Sequence, residues 1–264
     1  MELANDIGEA ANFATYFTAS PAAESTPHLY ISALATWSQN TNLSQNWKSQ
    51  FTRIPVFTYA QSNIHFPLMT VTTAKPIKCV MFSSDGKQIV SGSSDDSVQV
   101  WDASTGMELM KLKGHISWVF SVAFSTDDTW IVSGSFDGSV LVWDTSIGEK
   151  LKVLKGHTAC VTSVAFSRDG TWVVSGSCDH SVRVWDVLAG LELMNLYGHN
   201  GAVYSVAFSS DSMWIVSGSE DCSVQMWDAS TGVKLRELKG HTDMVRSVMF
   251  SSNGTQIVSG SYDI

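Results

Sequence analysis

In each complete repeat of this 264-residue chain that contains a Gly-His pair, the histidine is followed 18 residues later by a serine and 22 residues later by an aspartate. The sets are His115 with Ser133 and Asp137, His157 with Ser175 and Asp179, and His199 with Ser217 and Asp221. These are the residue types of a nucleophile, a general base and an orienting carboxylate, so hydrolysis is the first chemistry to weigh. Such a site needs an exposed serine, an oxyanion hole and a substrate pocket, and a chain gains nothing by building that apparatus three times. A buried imidazole tied between a carboxylate and a hydroxyl would instead lock one loop, one turn and two strands together, each bond contributing on the order of 1 kcal/mol. No residue is therefore assigned a catalytic role. Metal binding is disfavoured as well, because the histidines sit in different repeats with no Cys, His or Asp at ligand spacing beside them, and nothing calls for a cofactor.

The elements that must position these sets recur with them. Gly-His pairs at 114, 156, 198 and 240 and Trp-Asp pairs at 101, 143, 185 and 227 share a period of 42 residues. A fixed period of this size means units that bury their apolar faces only by stacking. Within Gly114 to Lys155, Val119, Val122 and Phe124 read as a strand with a bulge, Thr126-Asp127-Asp128 as a turn, and Trp130 to Ser135 as a second strand. Phe136-Asp137-Gly138 closes a hairpin into Ser139 to Trp143, and Lys150 to Leu154 is the fourth strand. Four short antiparallel strands per unit describe a propeller blade. Trp130, Trp172 and Trp214 share one phase and read as packing between blades. Gln88 and Gln256 replace them in the outer copies, suggesting that those copies lack a neighbour there.

The expected fold is all-β, with repeats at 72–113, 114–155, 156–197 and 198–239 and a truncated fifth at 240–264. Thr72-Thr73 stands in the first copy where Gly-His belongs. The fifth copy supplies two strands and stops before its Trp-Asp strand, and an open stack leaves strand edges and an apolar face in water. Residues 1–26 read as a tail or short amphipathic helix, with Leu3, Ile7, Ala10, Ala14 and Phe17 at helical spacing. Residues 27–71 read as a degenerate blade or as strands that complete the ring, Tyr59 falling one period before Trp101.

With 16 Lys and Arg against 25 Asp and Glu, a net charge of -9 argues against a nucleic-acid partner, which requires a basic face. The acidic start lacks the layout of a secretory signal and no apolar run approaches the length of a membrane helix, so a cytoplasmic protein without a membrane partner is expected. Cys79, Cys160, Cys178 and Cys222 fall at four phases of the repeat with no CxxC, which indicates neither a zinc site nor a disulfide framework.

The Gly-His, Ser-Gly-Ser, Asp-turn and Trp-Asp elements at this spacing resemble WD40 repeats over residues 72–264. More narrowly, the near-identical units and the run Ser25 to Leu34 resemble the C-terminal region of fungal NACHT-type, NOD-like WD-repeat proteins, in which the propeller senses a ligand beside an NTPase domain. The chain has no Gly-x-x-x-x-Gly-Lys-Ser/Thr loop, so NTPase activity does not carry over. The resemblance implies that His115, Ser133, Asp137 and Trp143 form one structural network, as do His157, Ser175, Asp179 and Trp185, and His199, Ser217, Asp221 and Trp227.

The copies differ from one another at few positions. Lys78, Ser94, Trp118, Phe120, Phe136, Cys160, Thr162, Cys178, Tyr204, Glu220, Met244, Arg246 and Tyr262 are among them. Drift in solvent favours small polar residues, whereas these include the aromatic and arginine types that dominate interface hot spots. By the resemblance they surround the channel mouth where partners dock. The expected function is a non-enzymatic scaffold holding a protein or peptide on that face, with self-association through open edges as a further expectation. The alternative is a ligand-sensing fragment of a NACHT-type receptor lacking its NTPase domain.

Overall fold

A computed structural model describes residues 71–263, which fall within one compact unit, Met69–Ile264. The tail or helix expected over 1–26 and nearly all of the degenerate blade or closing strands expected over 27–71 lie outside the described residues.

Blade 1 consists of β1 (Ile77–Phe82), β2 (Gln88–Ser93), β3 (Ser97–Asp102) and β4 (Glu108–Lys113). Blade 2 consists of β5 (Val119–Phe124), β6 (Trp130–Ser135), β7 (Val140–Asp144) and β8 (Lys150–Leu154). Blade 3 has β9 (Val161–Phe166), β10 (Trp172–Ser177), β11 (Val182–Asp186) and β12 (Leu191–Leu196). Blade 4 has β13 (Val203–Phe208), β14 (Trp214–Ser219), β15 (Ser223–Asp228) and β16 (Lys234–Lys239), and blade 5 has β17 (Val245–Phe250) and β18 (Ile257–Ser261). Each full blade is an antiparallel sheet in sequence order, and blade 5 is a two-stranded sheet. The architecture is thus an all-β stack of four full propeller blades and a truncated fifth.

The strands follow from local chemistry. β6, β10 and β14 are runs of Ile and Val closed by Ser-Gly-Ser, buried on both faces because a blade lies against each face of the sheet. The phase break after Val119 is a bulge, the register shifting between Val119 and Ser121, and the same shift recurs between Val203 and Ser205 and between Val245 and Ser247. The hairpin turns place one residue in the left-handed region. Gly138 accepts this freely at φ 79°, while Asp96, His180 and Cys222 adopt it at 68°, 71° and 66° with side chains that tolerate it less well.

Blades join through one repeated contact. A Cβ on Gly134 would lie 2.6 Å from Val161 Cγ1, one on Gly176 2.7 Å from Val203 Cγ1, and one on Gly218 2.7 Å from Val245 Cγ1. The second strand of each blade is therefore bare at the point where the next blade's first strand presses in. A second valine of that strand seals the contact, so Val122, Val164, Val206 and Val248 are 4 to 6% exposed. Their counterpart in β1, Val80, is 66% exposed, and at the other end Gly260 has nothing within 4 Å. Among the described residues, blade 1 thus leaves exposed the valine position that seals the other junctions, and blade 5 leaves its glycine uncovered.

Trp130, Trp172 and Trp214 pack into the cores shared by blades 2 and 3, 3 and 4, and 4 and 5. The expectation attached to the glutamines needs correction. Blade 1, which carries Gln88, has its neighbour in place, because β1 and β2 both pack against β5. Gln88 therefore does not mark a missing blade, whereas Gln256 stands in blade 5, which no further blade follows among the described residues.

Gly134→Ala forces a methyl against Val161 and should cost about 1 to 3 kcal/mol, whereas Gly260→Ala meets open space and should change stability by less than about 0.5 kcal/mol. Urea unfolding of both variants tests this, and equal losses would show that the glycines are not sockets.

Candidate functional site

Each His-Ser-Asp set meets at the rim of one blade. In blade 2, His115 Nδ1 lies 3.0 Å from Asp137 Oδ2 and Nε2 lies 2.8 Å from Ser133 Oγ. The Trp143 indole N–H donates to the same Ser133 Oγ at 2.8 Å. Blade 3 repeats this with His157, Asp179, Ser175 and Trp185, and blade 4 with His199, Asp221, Ser217 and Trp227. The chain of donors fixes every proton: Trp N–H to Ser oxygen, Ser O–H to Nε2, and Nδ1–H to the carboxylate. Ser133, Ser175 and Ser217 are fully buried, and each hydroxyl lies between an indole and an imidazole. The geometry is that of a proton relay with no path for a substrate to the oxygen, so it holds the rim together rather than attacking a bond.

Two sets of partners escaped the sequence reading. His241, Ser259 and Asp263 form the same contacts in the truncated blade, Nδ1 to Asp263 at 2.7 Å and Nε2 to Ser259 at 2.8 Å. The same spacing of 18 and 22 residues in the incomplete copy was the available signal. Ser139, Ser181 and Ser223, two residues after each Asp, donate to its other oxygen at 2.6 Å. Their regular placement was the available signal. Blade 1 differs: Thr73 occupies the histidine position, Lys111 Nζ pairs with Asp95 Oδ2 at 2.6 Å, and a cavity of about 270 Å³ lies among Thr73, Asp95, Gln99 and Trp101.

Burial lowers the pKa of His115 and His199, a loss that the carboxylates of Asp137 and Asp221 only partly offset. Burial also raises the Asp221 carboxyl, but hydrogen bonds from the Ser223 hydroxyl, the Asn200 amide and His199 overcome it and bring the group down to about 2. Protonating Nε2 would also deprive the serine hydroxyl of its acceptor while the indole still donates to its oxygen.

The variable positions lie beside these networks. Trp118, Phe120 and Phe136 form one cluster, with ring centroids 6.1 to 6.3 Å apart. Trp118 and Phe136 remain 47% and 56% exposed. Lys78 of blade 1 sets its ammonium 4.9 Å over the Trp118 ring. Across the arc, the Arg246 guanidinium lies 4.1 Å from the Tyr204 centroid and 5.1 Å from that of Tyr262. Glu220 is exposed and accepts from the Ala202 amide at 3.3 Å, while the Cys160 and Cys178 sulfurs are 2.6 Å apart. Thr162 is turned inward against the carbonyls of Gly176 and Val203, and Ser94 is tied to the Pro76 carbonyl at 3.0 Å. Met244 is half-buried beside Tyr262, whose amide donates to its carbonyl at 3.4 Å. The thirteen positions therefore include an aromatic group on blade 2, a cation between two tyrosines on blades 4 and 5, and thiols between them.

Among the described residues no group of three or more His, Cys, Asp or Glu side chains is placed to hold a metal ion, and no helix is long and apolar enough to cross a membrane. A family profile described as WD domain, G-beta repeat, matches residues 66–102, 106–144, 148–186, 190–228 and 232–263, well over half of the chain. An uncharacterized WD repeat-containing protein of Nostoc sp. is 43% identical over 61 residues, 23% of this chain and 4% of that protein. A probable serine/threonine-protein kinase, PkwA, of Thermomonospora curvata is 42% identical over 49 residues, 19% of this chain and 7% of that protein. The chain spans a small part of the length of either relative.

The networks predict the acid response. His115 and His199 bind protons less readily when folded, and Asp137 and Asp221 likewise, so the unfolded chain takes up more protons at every step. Their stabilisation is complete above the unfolded histidine value of 6.5 and is lost as pH falls below it, first through the histidines and then through the carboxylates. The urea midpoint should therefore drop between about pH 7 and pH 5, where only histidine titrates appreciably. A flat profile over that range would contradict the neutral buried imidazoles.

Proposed function

Because the chain belongs to the WD40 repeat family, a family of non-catalytic protein-interaction scaffolds, we propose that its variable rim is the surface on which a protein or peptide segment docks. The observation that carries this reading is the cluster of exposed Trp118 and Phe136 with half-buried Phe120, which offers rigid aromatic area at low entropic cost. Arg246, stacked between two tyrosines, is pre-positioned to donate to a carboxylate on the same ligand. The ligand this suits is a peptide with an apolar or aromatic anchor and an acidic residue.

Peptides selected against the chain from a random library should lose about tenfold or more in affinity to the Trp118→Ala, Phe136→Ala double variant, as expected for hot-spot residues. They should bind unchanged to Leu151→Ala on the outer strand β8. Equal affinity for all three proteins would remove the rim as the docking surface.

A narrower reading of the same chain, the ligand-sensing region of a NACHT-type NTPase receptor, is supported by the near identity of the 42-residue units and by the Ser25 to Leu34 run. A phosphate-binding loop encoded next to this sequence would favour it, and a neighbouring domain of another kind would count against it.

Self-association is the second reading, and it is supported by the exposed Val80 of blade 1 and by Gly260 of blade 5, which has nothing over it among the described residues. Inside the chain the same valine position lies over the glycine of the preceding blade, Val164 at 3.0 Å from a Cβ on Gly134 and Val206 at 2.9 Å from one on Gly176. Two copies would join head to tail, blade 5 of one against blade 1 of the next. Light scattering should then find concentration-dependent oligomers that Val80→Glu dissociates, and a monomer at all concentrations would end this reading.

A further inference from the structure

We propose that Cys160 and Cys178 form a reversible dithiol–disulfide pair set into the docking face. Its effect on docking rests on the reading above, but its chemistry does not. Cys160 stands just before β9 and Cys178 in the turn after β10, and the Cys178 amide donates to the Cys160 carbonyl at 2.9 Å. Ser177 Oγ donates to the carbonyl of Ala159 at 3.2 Å, so a second hydrogen bond joins the residues that immediately precede the two thiols. The sulfurs are 2.6 Å apart and both residues are partly open to solvent.

This pairing is built into the repeat. The same two positions face each other in blade 2 as Trp118 and Phe136, in blade 4 as Ala202 and Glu220, and in blade 5 as Met244 and Tyr262. In each of these blades the later residue's amide donates to the earlier residue's carbonyl, as it does in blade 3. Blade 3 alone places two thiols on this fixed backbone pair, which holds them where a disulfide needs little backbone movement. Cys79 lies under Gly92, and Cys222 sits in the hairpin turn of blade 4, two residues after the Cys178 position, at φ 66°. They serve as controls in the same molecule.

The reaction uses a low-molecular-weight disulfide such as oxidised glutathione. One thiolate of the pair attacks its S–S bond, forming a mixed disulfide and releasing one glutathione thiol. The second protein thiolate then attacks the mixed disulfide and releases the other. The sum is two protein thiols and one glutathione disulfide giving one protein disulfide and two glutathione thiols, with two electrons passed to glutathione. Burial raises the Cys178 thiol to about 12, with Cys160, Glu220 and Asp179 adding to the effect, so exchange is slow and the equilibrium is the quantity to read. Closure ties the loop entering blade 3 to its hairpin turn, between the aromatic cluster of blade 2 and Tyr204 of blade 4. It also removes both S–H groups from the rim.

The full chain is equilibrated against mixtures of oxidised and reduced glutathione, quenched with acid, alkylated and mapped by mass spectrometry. The expected result is a single protein disulfide joining Cys160 to Cys178, formed at a ratio of oxidised to reduced glutathione at least about tenfold lower than that which glutathionylates Cys222. Cys178→Ser should stop at a glutathione adduct on Cys160. Separate glutathionylation of Cys160 and Cys178 in the unaltered protein, or free thiols at both when Cys222 is modified, would overturn the proposal. The readout needs no ligand, so a failure here leaves the docking surface standing, and a failure of the peptide test leaves the disulfide standing.

Discussion

A four-stranded sheet that is apolar on both faces cannot stand alone in water, and the rest of this structure follows from how its neighbours cover it. The cover is specific at one point: a bare glycine on the second strand receives a valine from the first strand of the next blade. Gly134 with Val161, Gly176 with Val203 and Gly218 with Val245 repeat it at distances that leave no room for a Cβ. The contact fixes the spacing of the first strands and so the spacing of everything their rims display. Burying the valines at these junctions supplies the hydrophobic stabilisation that no single repeat can provide.

The hydrogen-bond networks act on a different part of the blade. Trp143, Ser133, His115 and Asp137 run from the third strand through the second to the loop that enters the blade and back to the hairpin turn. They pin the loop and turn that carry Trp118 and Phe136. What resembles a triad is therefore a frame for the surface beside it. Blade 1 shows how far the frame bends: with Thr73 in place of histidine, Asp95 turns to Lys111, and Trp101 still donates to Ser91 at 2.8 Å.

Much of this could be read from residues alone. The period of 42 gave the blades, the phase break after Val119 gave the bulge, and the His, Ser and Asp spacing gave partners that meet within 3.0 Å. Other features could not be read, for identifiable reasons. The Ser-Gly-Ser repeat shows that a glycine recurs, but not that a valine 27 residues later fills the space above it, as Val161 does over Gly134. Gln88 appeared to mark an exposed end because sequence does not say which neighbour a side chain faces. Cys160 and Cys178 fall at different phases of the repeat, and only the folded hairpin sets their sulfurs side by side.

If stacking is what stabilises the blades, protection should follow cover. Hydrogen exchange of the intact chain measures this strand by strand. The backbone amides of β6, β10 and β14, which have a blade against each face, should exchange most slowly, and those of β1 and β18, where Val80 and Val258 are 66% and 64% exposed, should exchange fastest. Equal protection in all five blades, or slower exchange in β1 and β18 than in β10, would contradict a fold held together by the contacts between its repeats.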